Sequence, residues 1–492
     1  MKNETEEKQS SRRCIQMFLP MTNRLKELFV DATKTYDQGL YYYRQEVIGA
    51  KIEGRKANIL QVKLGKKDEN GNQIVPSLYQ RMQETEAWKN SVLPAYVKNS
   101  TANLAFEATK GFFESIKQYA KSKSGFKGPP RLPNYILKHN RLAVIPFGSQ
   151  VFKPKMYRNE KNRTIRLPQT GLKIKIPSHI DFNSIKEIKL IDCHDKVKVS
   201  ISYMKDNPEI RNLDKNRVMS IDVGGKILAS ITTTNNVGKS WIIRNDKIND
   251  INEHFNKNLS KYKSFLDTQN NDKNDPEGKK KPRIHMTKRL HKFYLKRENK
   301  IKYLFHQYSG FIVKTAIENN IGTIVYGRNK GWKTDIADKL NKEIEANRKS
   351  IEETGKRITS LTRKNAQEKN RKFIAVPFDK FRSLLEYRAK EAGIDFLKTE
   401  ESFTSKTDHL AKESMEKHEA NLGNRETRGL FKSSTGKLVH ADINGAIGIM
   451  RKKNILSDKD LDDFRNRKDI SSPVVVKTIQ GKDGKTRTVE TK

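Results

Sequence analysis

Carboxylates at three separated places carry the chemistry this chain is equipped for. Asp222 ends the apolar run of RVMSIDVGG, which reads as a buried strand followed by a glycine turn at Gly224-Gly225 and a second strand rich in β-branched residues. Glu400 and Glu401 follow IDFLKT, an apolar strand that emerges from a helix past the Gly393 stop signal. Asp442 stands in HADINGAIGIM at the start of a helix. Acids at the ends of three elements are the minimum set for holding two Mg²⁺ ions against a phosphodiester, one metal activating the attacking water and the other stabilising the leaving oxygen. Successive residues of a strand point to opposite faces, so one of Glu400 and Glu401 serves and the other does not.

The composition narrows what such a site acts on. Lys and Arg number 99 against 58 Asp and Glu, a formal charge of +41 spread along 492 residues. A surplus of that size opposes compaction unless a polyanion neutralises it, so nucleic acid is the expected partner. The length leaves room for about two to four domains. Two cysteines, Cys14 and Cys193, exclude a disulfide framework and suit a reducing cytosol. No apolar run approaches a membrane span, and MKNETEEKQS lacks the apolar core of a signal peptide, so the expectation is a cytoplasmic protein without a membrane partner.

Positioning elements follow from the periodicity. A short strand, Cys14 to Leu19, is stopped by Pro20. Leu25, Leu28, Phe29, Ala32 and Tyr36 then fall at helical spacing, with Tyr41 to Tyr43 continuing the face as core. A second helix runs from about Thr101 to Ala120, and everything up to about 121 reads as helical. The basic loop KSKSGFKGPPRLPNY, with Lys127 and Arg131, cannot be helix and marks a boundary. The period then changes to two, and 142–147, 164–167, 172–176 and 196–203 read as short antiparallel strands of a small barrel. From Arg217 the order strand, strand, strand, helix, strand, helix, strand, helix predicts an α/β sheet with catalytic groups at strand ends. Its long basic helical region, including Lys288 and Arg289, is expected to lay one face on the sheet and the other on nucleic acid; residues 335–370 read as a second charged helical insertion.

These stretches resemble the TnpB proteins of bacterial insertion sequences, RNA-guided nucleases ancestral to the type V CRISPR effectors. The likeness rests on RVMSIDVGGKILA, IVYGRNKGWK, EESFTSKTD, GNRETRGLF and HADINGAIGIM in family order, with FKGPPRLPNY as a hinge. It implies a multidomain α+β chain: an N-terminal strand (1–21) of a wedge β-barrel, a helical recognition domain (22–138), the wedge barrel (139–212), a RuvC nuclease domain of the RNase H-like α/β fold (213–452) with a nucleic-acid-binding insert (403–440), and a basic, flexible tail (453–492). It further implies a monomer carrying one guide RNA, a double-stranded DNA target with a short flanking motif, and Mg²⁺ held by Asp222, Glu401 and Asp442, with Glu400 the alternative to Glu401. Arg425 and Arg428 resemble family arginines near the scissile phosphate, and Lys127, Arg131, Lys288 and Arg289 are further expected nucleic-acid contacts.

Two departures from the family pattern matter. Gly327 stands where the second motif usually carries a glutamate, and a subset of the family looks similarly rearranged, with the acid at the end of the next strand; matching EESFTS to that subset favours Glu401. The zinc-ribbon cysteines are missing: Asp408 stands where the first would be, and His409, His418 and His440 are too scattered for ligand spacing, so they read as surface histidines and no structural zinc is expected. Other readings are a compact CRISPR effector using crRNA and a nuclease-inactive RNA-guided repressor; the retained Asp222 and Asp442 argue against the latter, since buried facing carboxylates have no use without catalysis.

Overall fold

The computed structural model describes residues 10–123, 126, 128–137, 142–206, 212–270, 287–327, 345, 348, 376–416, 418–427, 429–480 and 486–491. The insertion at 335–370 therefore lies, but for residues 345 and 348, outside the described residues. The chain divides into two compact units, Met1–Asn207 and Pro208–Lys492.

In the first unit, strand β1 (Ser10–Pro20) is followed by helix α1 (Asn23–Ile52), whose N-cap Thr22 accepts the N–H of Leu25. Helix α2 (Ala95–Lys121) packs against it, and β2 (Ile145–Gly148), β3 (Ile185–Cys193) and β4 (Lys196–Asp206) complete an antiparallel sheet in the order β1-β4-β3-β2. A separate three-stranded sheet, Arg158–Asn159, Thr164–Arg166 and Lys173–Lys175, shares its apolar core. The expected single barrel is thus two sheets around one core. The region up to 121 is not wholly helical either: Lys66–Lys67 and Gln73–Val75 form a hairpin around the Asn70-Gly71 turn. Of the tyrosine cluster only Tyr43 is core; Tyr41 is exposed because it lies on the solvent side of the same helix.

The second unit is built on β5 (Asp214–Asp222), β6 (Ile227–Thr233) and β7 (Ser240–Arg244), followed by helices α3 (Asp246–Asn270) and α4 (Lys288–Glu318) and strand β8 (Ile321–Gly327). Helix α5 (Phe378–Glu391) leads to strand β9 (Asp395–Thr399). The small strands β10 (Asn424–Thr427), β11 (Leu430–Lys432) and β12 (Leu438–His440) form their own sheet and run into helix α6 (Ala441–Lys452). Helix α7 (Asp458–Asn466) and strands β13 (Val474–Gln480) and β14 (Thr486–Thr491) close the unit.

The main sheet has the order β9-β8-β5-β6-β7-β13-β14. Strand β8 lies between β5 and β9 and is parallel to both. Alternation along the strands decides which face is which. Met219, Ile221, Ile324 and Tyr326 point into the core shared with α4 and α5, whereas Val218 and Val325 meet Ile449 of α6 on the other side. Ser220, on the α6 side, donates to the carbonyl of Ala446 at 2.8 Å.

Residues 453–492, expected as a flexible tail, instead contribute α7 and two strands. β13 adds to β7 in parallel register, and β14 pairs antiparallel with β13. Arg467 fastens this extension: its guanidinium donates to Asp469, to the carbonyl of Thr233 at 2.6 Å and to the hydroxyls of Thr232 and Ser240, and it lies 4.3 Å over the Phe464 ring. Among the described residues, no helix is long and apolar enough to cross a membrane.

Candidate active site

Asp222 is the last residue of β5 and belongs, with Val218 and Ser220, to the face toward α6. Gly445 of α6 makes this approach possible: a Cβ there would stand 2.5 Å from Asp222 Oδ2. Asp442 precedes Gly445 by three residues, so the two share a helix face, and Asp442 reaches the same strand end. It lies in the first turn of α6, where the helix dipole favours a negative charge. The N-cap of that helix is His440, whose Nδ1 accepts the Asp442 N–H at 3.3 Å and lies 3.9 Å from Asp442 Oδ2.

The third acid arrives across β8. Gly327 pairs with Thr399 of β9, and two residues later the chain turns Glu401 inward, 8 % exposed, and leaves Glu400 exposed. A Cβ on Gly327 would overlap Glu401 Oε1 and come within 2.7 Å of its Cγ, so the glutamate fills the space that a side chain at 327 would occupy. Adjacent strands are only about 5 Å apart, which is why a carboxylate from the next strand spans the gap.

The electrostatics match this gathering. Burial raises the Asp222 carboxyl well above the usual range, and Glu401 and Asp442 raise it further, while the Val223 N–H and Arg425 oppose the shift. Burial pushes Glu401 up to about 7. Its Oε1 is buried and accepts no hydrogen bond. A buried carboxylate oxygen without a donor is costly and marks a place where a cation or a bound group completes the site. Among the described residues, no three His, Cys, Asp or Glu side chains converge closely enough to cage an ion. Mg²⁺ does not demand a cage: it keeps several of its waters and takes one or two carboxylates, so an oxygen-only set with one orphaned oxygen fits it.

Arg425, on β10, is exposed, yet its charge acts on both Asp222 and His440, which puts it within electrostatic reach of the acids. Arg428 and Lys127 lie outside the described residues. Lys288 and Arg289 are exposed in the first turn of α4, with the Arg289 guanidinium 5.1 Å over the Tyr262 ring. Arg131 is exposed in the first unit. The acid cluster does not include Lys288 or Arg289. Sequence reasoning missed His440 and Gly445. The signal for both was local: an N-cap position immediately before the Ala441-Asp442 pair, and a small residue one helical turn after the acid.

The histidines need correction. His409 is fully buried, its Nε2–H donating to the Thr404 carbonyl at 2.7 Å and its Nδ1 accepting from Arg451 at 3.0 Å; burial lowers it to about 4. Gly448 of α6 leaves room for this ring. His440 is half-buried at its cap. Spacing alone placed His409 at the surface because Arg451, which donates to its ring, lies 42 residues away. Asp408 is buried too, and its carboxylate accepts from the Ser433 hydroxyl at 2.8 and 3.0 Å, the Ser434 N–H at 2.6 Å, the Ser434 hydroxyl at 3.0 Å and the Ala411 N–H at 3.2 Å. Glu413, also buried, accepts from the Asp408 N–H at 2.5 Å and the Leu422 N–H at 2.9 Å. Two carboxylates thus tie together the loops of the insert.

Residues 378–449 match the sequence model of the Cas12f1-like TNB domain family, a segment that runs from α5 through Glu401 and Asp442 into α6. Among solved structures, a Cas12f1-sgRNA-target DNA complex is similar at a TM-score of 0.31 and 17 % identity, covering 90 % of this chain and 100 % of that one. A CRISPR-Cas12f ternary complex is similar at 0.27 and 14 % identity, covering 86 % and 81 %. No curated protein matches the chain.

Proposed function

We propose that this protein is an RNA-guided DNA endonuclease of the TnpB and Cas12 type. The observation that carries the reading is the Glu401 carboxylate: it is buried over Gly327, its Oε1 accepts no hydrogen bond, and it lies at one end of the sheet with Asp222 and Asp442. Asp222 and Glu401, buried at a cost in electrostatic energy, with the charges of Glu401 and Asp442 acting on Asp222, are explained by a site that binds cations and a phosphodiester. The second unit is accordingly read as a RuvC nuclease domain of the RNase H-like fold, and the match of 378–449 to the Cas12f1-like TNB domain supports the same class.

Asp222, Glu401 and Asp442 would hold Mg²⁺, which when bound neutralises phosphate charge and makes water a stronger nucleophile. The residues themselves divide the remaining work. Asp222 and Asp442 approach from a strand and a helix fixed to one another by the close contact at Gly445, so their separation is set by packing. Glu401 reaches them over Gly327 and excludes a competing side chain there. Arg425 offers a guanidinium to a nearby phosphate, and the surplus of +41 attracts the guide RNA and the double-stranded target. Base pairing with the guide would supply most of the sequence readout, with the protein reading a short flanking motif.

The test is Asp222→Ala and Asp442→Ala in the protein purified with its guide RNA. Both variants are expected to lose cleavage while keeping guided DNA binding, because binding rests on many phosphate contacts. Substantial cleavage by either variant refutes the assignment. A crRNA-using compact type V effector is the second reading, favoured by the Cas12f1-like match; RNA that copurifies with the protein, from a repeat array or from a transposon end, decides between the two.

A further inference from the structure

Phe403, two residues past Glu401, is the wrong residue for its place in the free protein. Its backbone has φ +65°, the left-handed region that disfavours bulky L-residues, and the residue is 48 % exposed, so burial offsets the strain only in part. The other large exposed aromatic side chains of the described residues sit on helices, as Tyr41, Tyr294 and Tyr387 do, or on a strand, as Phe18 does, and all have ordinary backbone. A single exposed aromatic is unremarkable; an exposed aromatic held in a strained conformation beside buried acids is not.

The turn around it is fastened from several directions. The Thr404 N–H and hydroxyl both donate to the Glu401 carbonyl, at 3.2 and 2.9 Å. The Thr407 hydroxyl donates to the Phe403 carbonyl at 2.6 Å, and Lys452 Nζ of α6 donates to the Ser402 carbonyl at 2.9 Å. Thr404 is buried against α6 at Gly448, which has no side chain to obstruct it. The ring is therefore presented from a rigid support that is tied to the Glu401 backbone and to the helix carrying Asp442. Exposed Lys406 on the same turn adds a cation for a backbone phosphate.

We propose that Phe403 is a stacking platform for a nucleobase of the single strand held at the carboxylates. A base laid on the ring recovers the apolar contact that the free protein forgoes, and the rigid turn makes that contact without further loss of conformational freedom. Such stacking fixes one nucleotide beside the phosphate presented to Asp222, Glu401 and Asp442. This proposal rests on the nuclease reading for its consequence in cleavage, but not for its binding signal.

The experiment uses the full-length protein and a short single-stranded DNA carrying one 2-aminopurine, walked along the strand, in Ca²⁺. Wild type is expected to quench the fluorophore strongly at one position. Phe403→Gly, which relieves the backbone strain, should melt no lower than wild type, lose that quench and bind about tenfold more weakly, while Phe403→Trp keeps both signals. In Mg²⁺, with the guide RNA bound, Phe403→Gly should cut about tenfold more slowly in single turnover and Phe403→Trp close to the wild-type rate. Equal quenching and affinity in wild type and Phe403→Gly, or no quench in wild type at any position, overturns the proposal. A Phe403-dependent quench in a protein that never cuts upholds stacking and refutes the nuclease reading; normal cutting with a Phe403-independent quench does the reverse.

Discussion

Replacing Gly327 by alanine separates the acid site from the fold that carries it. The added Cβ would overlap Glu401 Oε1, stand 2.5 Å from Ile449 Cδ1 and lie 2.7 Å from Glu401 Cγ. All three atoms belong to buried side chains rather than backbone, and Gly327 is not among the glycines with left-handed backbone, so the strand itself is not strained by the change. Overpacking of this kind costs about 1–3 kcal/mol and lowers the melting temperature by only a few degrees. The carboxylate is less forgiving, because the methyl takes the space it fills now. Displacing a metal-binding group or its support costs about 10–100-fold in affinity or activity, so Gly327→Ala should cut up to about 100-fold more slowly and need more Mg²⁺. The assay is single-turnover cleavage of labelled DNA over a Mg²⁺ titration, with thermal melting alongside. Glu401→Gln should be at least as damaging, Glu400→Gln mild, and the exchange Gly327→Glu with Glu401→Gly should recover much of the rate by returning the acid to the middle strand. A folded Gly327→Ala protein that cuts at the wild-type rate with unchanged Mg²⁺ dependence refutes the reasoning.

Purified protein is expected to contain no stoichiometric zinc and to keep its Mg²⁺-dependent cleavage in a zinc-selective chelator; about one tightly held zinc per chain would contradict this. Asp408→Ala strands the Ser433 and Ser434 donors inside the insert and should lower stability by about 3 kcal/mol, read by denaturant melts, whereas Asp408→Asn keeps part of the network and costs less. His409, faced by Arg451, Asp408 and Glu413, titrates near 4 in the folded protein against an ordinary 6.5. Above pH 6.5 the ring is neutral in both states, and below it the unfolded ring takes a proton that the folded one refuses until about pH 4. Stability should therefore fall by about 3 kcal/mol as the pH drops through that window, and His409→Gln should flatten this acid limb by about one proton; an unchanged limb would refute the assignment.

Local signals were enough to place Asp222 at a strand end and Asp442 at a helix start, because an apolar run before one and an amphipathic run after the other are written in consecutive residues. The missing acid at Gly327 was legible for the same reason, as were the change of period near 142 and the long basic helix. The resemblance of EESFTS to the rearranged subset favoured Glu401 over Glu400, but the physical reason needed the sheet: the order β9-β8-β5, with Thr399 opposite Gly327, brings Glu401 over the glycine. Burial of His409 and Asp408 could not be read from spacing, since Arg451 and Ser433, their partners, lie 42 and 25 residues away. The carboxyl-terminal strands were invisible for a related reason. TRTVET and VVVKTIQ are short and flanked by charge; VVVKTIQ takes its place in the sheet by pairing with Trp241 to Ile243, more than two hundred residues earlier, and TRTVET by pairing with it. Composition and periodicity report on residues close in sequence, whereas a site assembled from two strands, a loop and a helix exists only once non-local hydrogen bonds have set their order.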